Sequence, residues 1–196
     1  MMVKVCGITN REDALAAIEG GAAALGFNFY PNSPRYLHPA QAGKIVEIVP
    51  TNVWKVGLFV NERPDVALRV AAQTAMDVLQ IHGNAAQFPG GTRLWRAVRV
   101  GPDFQFAELD SPDAEAFLLD TASDTLPGGT GRTFDWKVAR GAPGKIILAG
   151  GLDEDNVRQA IEEAQPWGVD ACSRLEAAPG RKDHLKLARF LKAALS

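Results

Sequence analysis

Residues 3–21 read VKVCGITNREDALAAIEGG and contain a strand, a turn and a helix in that order. The apolar run Val3 to Ile8 is typical of a buried strand, and Asn10 is a suitable N-cap for the helical stretch after it. The glycine pair at 20–21 ends that helix. The stretch predicts one strand–helix unit, with Cys6 near the end of the strand.

The same order recurs along the chain. Eight strands are predicted, at residues 3–8, 23–29, 54–60, 77–83, 93–100, 116–122, 144–151 and 169–176. Alternating strands and helices favour parallel pairing with right-handed crossovers, and eight units predict a single-domain (β/α)8 TIM barrel over residues 1–196. The segments for the fourth and fifth helices, 84–92 and 103–109, are short or weak. An open doubly wound sheet is the alternative, although it usually needs fewer strands.

Composition restricts the function classes. The net charge of −2 gives no general attraction to nucleic acid or to an anionic membrane. No apolar stretch reaches the roughly 18 residues that a membrane span needs. Two cysteines, Cys6 and Cys172, do not form a disulfide framework, so we expect a cytoplasmic protein.

Function in such a barrel gathers where the strands end. The candidates there are Cys6, Asn28, His82, Arg96 or Arg99, Asp120, Gly150, Gly151, Ser173 and Arg174. A thiol with a cationic neighbour can act as a base, and a carboxyl after an apolar run can stay protonated as an acid. Cys6 and Asp120 therefore suit an isomerisation, although a lone cysteine in a strand is more often a small buried hydrophobe and an aspartate after a strand is often a helix cap or turn former.

Glycines near the last two strands indicate an anion site. Gly150 and Gly151 follow strand seven, and Ser173 and Arg174 lie in the predicted strand eight, where this fold often binds phosphate. The sequence GGTG at 128–131 is interpreted as a lid or a flexible connection. The chain has no nucleotide-binding glycine loop and no metal-ligand spacing, so no cofactor and no metal are expected.

Seven motifs in register resemble the N-(5′-phosphoribosyl)anthranilate isomerases of tryptophan biosynthesis. They are KVCGIT, GFNFYPNSPRYL, VGLFVN, LQIHG, LLDT with GGTGRTFDW, LAGGLDEDNV and PGRKDH, and they run from Lys4 to Asp183. The resemblance implies a cofactor-free Amadori rearrangement of a phosphorylated aminoaldose to an aminoketose. Monomer and homodimer both remain open.

The resemblance also implies roles for individual residues. Asp120 would be the general acid that opens the furanose ring, and Cys6 the general base that removes the C2′ proton. Arg35 would pair with the anthranilate carboxylate, for which a planar guanidinium is suited. His82 and Gly129 are placed with the substrate-binding residues.

One departure concerns the phosphate site. The family commonly has SSGVE where this chain has CSRLE at 172–176, so Arg174 replaces a glycine and Cys172 a serine. Either the Arg174 guanidinium pairs with the phosphate, or Arg174 offers only its backbone N–H; we favour direct pairing.

Two other functions remain as alternatives. One is another phosphate-binding barrel isomerase, epimerase or lyase. The settings of His38, His82 and His184 do not suit the metal site expected of a ribulose-phosphate epimerase. The other is a barrel that only binds a ligand, which would not need an acid–base pair.

Overall fold

A computed structural model describes residues 1–83, 87–101, 103–121 and 133–196. Eight parallel strands close into a barrel in the order β1 to β8, with β8 pairing back onto β1. The strands are β1 Met2–Val5, β2 Ala24–Asn28, β3 Trp54–Val60, β4 Val78–His82, β5 Leu94–Val100, β6 Ala116–Thr121, β7 Ile146–Leu148 and β8 Gly168–Ala171. The TIM-barrel prediction is confirmed, and the open sheet is excluded.

Helices cover the outside of the barrel unevenly. The α-helices are α1 Arg11–Glu19, α2 Pro39–Val46, α3 Pro64–Gln73, α4 Val157–Ala164 and α5 His184–Leu195. Single 3-10 turns, Phe106–Leu109 and Trp136–Ala139, follow β5 and β6. No helix lies among the described residues between β4 and β5. The chain thus shortens the fourth and fifth units as expected, and the sixth as well.

Local sequence signals explain where the first helix begins. Asn10 caps α1, because its side-chain oxygen accepts a hydrogen bond of 2.8 Å from the Asp13 backbone N–H. Pro39 and Pro64 open α2 and α3, where a missing N–H costs nothing.

Three predicted strands continue at least three residues past the observed ends. The first ends at Val5 and not at Ile8, because Gly7 turns with positive φ. The seventh ends at Leu148, and Gly150 and Gly151 then turn with positive φ. The eighth ends at Ala171, because the chain turns at Cys172 into the 3-10 helix Ser173–Leu175. A short antiparallel hairpin follows, made of β9 Glu176–Ala178 and β10 Arg181–Lys182.

Tryptophans fill the N-terminal end of the barrel. The rings of Trp54, Trp95 and Trp167 lie 5.8 to 6.1 Å apart, centroid to centroid. Arg93 stacks on Trp54 with its Cζ 4.3 Å from the ring centroid. Aromatic packing of this kind closes the bottom of the barrel and leaves the opposite end for polar side chains.

Candidate active site

Two thiols stand side by side where β1 and β8 end. Val5 pairs with Ala171 in the ladder, and the Cys6 N–H donates to the Ala171 carbonyl at 2.9 Å, so the two cysteines directly follow a paired position on neighbouring strands. Cys6 is 6% exposed and Cys172 is half-buried. Both line one cleft of about 650 Å³.

A buried ion pair lies one step below the thiols on the same two strands. Lys4 and Asp170 are ladder partners, and the Lys4 ammonium is 2.9 Å from an Asp170 oxygen with no exposed side-chain surface. A Cβ placed on Gly26 of β2 would lie 2.7 Å from the Cys6 sulfur and 3.1 Å from Lys4 Cε, so both groups crowd against that glycine. The ammonium is therefore held close to Cys6.

These neighbours set the charge on the thiol. The hydrogen bond with Cys172, and then the charges of Lys4 and Lys182, hold the pKa of Cys6 well below its usual value despite burial, which raises it. The same hydrogen bond raises the pKa of Cys172. Of the two thiols, Cys6 is thus the one that ionises more readily.

The two members of the ion pair, Lys4 and Asp170, both have shifted pKa values. Burial lowers the pKa of Lys4, but the charges of Asp170 and Cys6 outweigh burial and raise it above its usual value. Burial raises the pKa of Asp170 to about 7, against the opposing charge of Lys4. The ammonium therefore remains charged beneath the thiol.

Asp120 approaches the same space from β6. Burial raises the pKa of its carboxyl to about 6, although a hydrogen bond from the Thr121 backbone lowers it. Gly150, at φ +85°, lets the turn after β7 pack onto these residues, since a Cβ there would lie 2.9 Å from an Asp120 carboxylate oxygen. The acid and the base that the sequence predicted thus line one cleft.

Arg35 enters the cleft from the loop after β2. Ser33 accepts a hydrogen bond of 3.1 Å from the Arg35 N–H and is itself held at 3.0 Å by Asn28. The guanidinium lies against Glu176, with Nη2 at 2.7 Å and Nε at 3.2 Å from one carboxylate oxygen. Arg35 also lines the cleft, where a guanidinium can meet an anionic group of a ligand.

His82 also lines the cleft, at the end of β4. Burial, with the charges of Lys4 and Arg99, lowers its pKa to about 3, so the imidazole is neutral. Gln80 Nε2 donates to His82 Nε2 at 2.8 Å, which makes this ring nitrogen an acceptor. His82 can therefore contact a ligand but carries no charge to attract an anion.

A second cavity, of about 330 Å³, adjoins the cleft and has Gly150, Gly151, Ser173 and Arg174 in its lining. Asp120 and Cys172 line both spaces. The Arg174 guanidinium is bound to Asp153, with Nη2 2.9 Å and Nε 3.0 Å from one oxygen, and its side chain is 51% exposed. Arg174 is not among the residues with positive φ, so replacing a glycine here brings no left-handed strain.

The N-(5′-phosphoribosyl)anthranilate (PRA) isomerase family model matches residues 3–193. This chain belongs to that family. A curated isomerase of this name from Solibacter usitatus is 50% identical, covering 99% of this chain and 97% of the relative. One from Pelobacter propionicus is 46% identical over 98% of this chain and 94% of its own length.

Solved structures of family members agree with the fold. The isomerase from Thermotoga maritima superposes with a TM-score of 0.92 at 39% identity, covering 100% of this chain and 98% of the other. A phosphoribosylanthranilate isomerase in complex with reduced 1-(o-carboxyphenylamino)-1-deoxyribulose 5-phosphate gives a TM-score of 0.89 at 37% identity and the same coverage.

The described residues to which the sequence analysis gave a catalytic or binding role all line the cleft or the cavity beside it. Cys6, Arg35, His82 and Asp120 line the cleft, and the four predicted phosphate residues line the adjoining cavity. Gly129, in the segment 122–132, lies outside the described residues.

Four charged residues of the site were missed: Lys4, Asp170, Glu176 and Lys182. Lys182 is buried, and its ammonium lies 3.2 Å from Glu176 and 3.1 Å from the Cys172 carbonyl. The available signal was a charged residue inside an apolar run, as in VKVC and GVDAC, which in a buried strand requires a partner.

The described residues contain no group of three or more His, Cys, Asp and Glu side chains arranged to hold a metal ion. Within the same residues, no helix is long and apolar enough to cross a membrane.

Proposed function

We propose that this protein converts N-(5-phosphoribosyl)anthranilate to 1-(o-carboxyphenylamino)-1-deoxyribulose 5-phosphate by acid–base catalysis. The observation that carries the proposal is the placement of Asp120 and Cys6 on one cleft with opposite pKa shifts. An acid with a raised pKa and a thiol with a lowered pKa coexist as donor and acceptor near neutral pH.

The reaction begins with proton transfer to the sugar. Asp120 donates its proton to the furanose ring oxygen, the ring C–O bond breaks, and the nitrogen lone pair forms the Schiff base. The half-buried carboxyl is suited to this step because burial, the largest influence on it, favours the protonated form.

The second step removes a proton from carbon. The Cys6 thiolate takes the C2′ proton, the electron pair moves toward the Schiff-base nitrogen, and an enolamine forms. The enolamine then tautomerises to the ketone. The Lys4 ammonium, buried beside Cys6, supports the charged thiolate that this step requires.

Binding would use both ends of the cleft. Arg35 would hold the anthranilate carboxylate, and His82 and Gly129 would contact the substrate. Gly150, Gly151, Ser173 and Arg174 would hold the phosphate in the adjoining cavity, which shares Asp120 with the cleft. In this arrangement the ribose would lie between its two anionic ends, beside the acid and the base.

We further propose that the enzyme works without a cofactor, in the cytoplasm, as a monomer or homodimer. Both cysteines are free thiols, which fits a reducing compartment. A related isomerase from Thermotoga maritima is described as dimeric.

The test is direct. Purified protein is mixed with freshly generated phosphoribosylanthranilate, and the loss of its fluorescence is followed, with the Asp120→Asn variant as the matched control. Decay with the wild type and almost none with the variant supports the proposal. Fluorescence that decays in the presence of the wild type no faster than without protein would refute the proposal.

A further inference from the structure

Cys172 transfers no proton in the proposed reaction, yet its thiol is hydrogen-bonded to the base. The β1–β8 ladder pairs Val5 with Ala171, and the Cys6 N–H donates to the Ala171 carbonyl, so Cys6 and Cys172 directly follow a paired position. Neighbouring strands are about 4.8 Å apart, and a disulfide spans Cα atoms about 4.4 to 6.8 Å apart. The ladder pair Val5–Ala171 directly before the two thiols therefore has the backbone spacing that a disulfide needs, and the thiols themselves are hydrogen-bonded.

Both thiols also line space that a small molecule can enter. Each lines the 650 Å³ cleft, and Cys172 lines the adjoining cavity as well. A small oxidant that enters the cleft thus meets both cysteines together. The chain has no other cysteine that could compete for either one.

We propose that Cys6 and Cys172 form a peroxide-reactive dithiol whose oxidation to an intramolecular disulfide reversibly inactivates the enzyme. The inactivation rests on the proposed function, because it requires Cys6 as the base. Formation of the disulfide does not depend on that function.

The chemistry divides between the two sulfur atoms. The Cys6 thiolate attacks one peroxide oxygen, the O–O bond breaks, and Cys6 becomes a sulfenic acid as hydroxide leaves. The Cys172 sulfur then attacks the Cys6 sulfur, the S–O bond breaks, and water leaves as the disulfide forms. Overall, two thiols lose two electrons and one peroxide is reduced to two waters.

The surroundings favour this order of events. Cys6 is the thiol that ionises more readily before oxidation, and thiolates react with peroxide faster than thiols. A sulfenic acid is neutral, so oxidation removes the charge that Cys6 exerts on Cys172. The Lys182 ammonium, 3.9 Å from the Cys172 sulfur, then favours the second thiolate.

The experiment uses intact mass and activity together. Reduced protein is treated with a slight excess of hydrogen peroxide. The remaining free thiols are then blocked with N-ethylmaleimide under denaturing conditions, and the intact mass is measured by mass spectrometry. The expected product is lighter than the reduced protein by about 2 Da and takes no maleimide, since both thiols are consumed. Its activity should fall at least about tenfold and return with dithiothreitol, because the base is restored.

The Cys172→Ser variant is the matched control, compared with its own untreated rate. Without a partner thiol, its Cys6 should gain about 16 or 32 Da, and the doubly oxidised form should not recover with dithiothreitol. Oxygen addition without disulfide in the wild type, or a disulfide-linked dimer, would overturn the dithiol. A disulfide that leaves activity intact would keep the dithiol and refute Cys6 as the base.

Discussion

The Lys4 ammonium and the Asp170 carboxylate meet 2.9 Å apart inside the barrel, on the two strands that carry the thiols. Two opposite charges at this distance largely cancel one another's field at long range. At short range each charge still changes the pKa of the titratable group that lies beside it. Lys4 lowers the pKa of Cys6, and the Cys6 charge raises the pKa of Asp170. The ion pair is thus part of the electrostatics of the base.

Substitution of the two partners should move the pH profile in opposite directions. Lys4→Met removes a positive charge beside Cys6, so the thiol should ionise at higher pH. Asp170→Asn removes a negative charge and should lower that pH. The measurement is the pH dependence of iodoacetamide reaction at Cys6 and of kcat/KM.

Removing one partner of a buried ion pair commonly lowers the free energy of unfolding by about 3–5 kcal/mol, so both variants are checked by thermal unfolding. The double variant Lys4→Met with Asp170→Asn keeps the net charge and serves as the control. Profiles that shift the same way in both single variants would show that loss of packing, and not charge, controls the thiol.

Cys6→Ser should reduce kcat about 10²- to 10⁴-fold, because a hydroxyl is too weak a base near neutral pH. The side-chain volume changes little, so the unfolding temperature should stay close to the wild type. Steady-state rates and thermal melts measure both. Retention of more than about a tenth of the activity would make the thiol structural.

Asp120→Asn should lower kcat by a similar factor with a modest change in KM, since the amide keeps the shape but has no proton to donate. In the wild type, Asp120 is active when protonated. Its pKa of about 6 therefore predicts that kcat/KM declines as the pH rises above about 6. A rise in KM alone for the variant would make Asp120 a binding residue.

Arg35→Ala should raise KM for the anthranilate half, and Arg35→Lys should restore it only in part. An ammonium cannot both hold Glu176 and offer a second planar donor pair, as the guanidinium can. Inhibition by free anthranilate, measured alongside KM, isolates this end of the substrate. A lysine variant equal to the wild type would rule out the bidentate contact.

Substitutions of Arg174 and of its partner Asp153 should change inhibition by inorganic phosphate in opposite directions. We expect the guanidinium to leave Asp153 and pair with phosphate, so Arg174→Gly should weaken inhibition by inorganic phosphate. Asp153→Asn should strengthen it by up to about fivefold, since the competitor is a half-exposed ion pair. The amide retains the oxygen that accepts from the Asp155 and Asn156 N–H groups. Unchanged inhibition in both variants would assign the anion to the backbone alone.

The sequence predicted the parts of this site that have local signals. Cys6 and Asp120 follow apolar runs, and strands in a barrel end on the same side, so their shared cleft could be expected. Arg35 was found only through the family resemblance, because its loop shows no periodicity. Lys4 and Asp170 were missed because each gains its meaning from a partner at the other end of the chain, which no window of sequence contains.

The same reasoning explains the error at the eighth strand. No glycine or proline interrupts residues 169–176, so the sequence contains no strong stop signal and the predicted strand continues to Glu176. The chain instead turns at Cys172, and Glu176 then meets Arg35 and Lys182. Tertiary ion pairs decide this segment.

The pairing of β8 with β1 has a consequence for the order of folding. Every contact across this seam joins the two ends of the chain, as does the hydrogen bond from the Lys182 N–H to Asp13, which spans 169 positions. Closing so large a loop costs entropy before any contact repays it. During synthesis on the ribosome, one edge of β1 therefore stays unpaired until β8 has been made. The surroundings of Cys6, with Asp170 and Cys172 beside it, form only at that point.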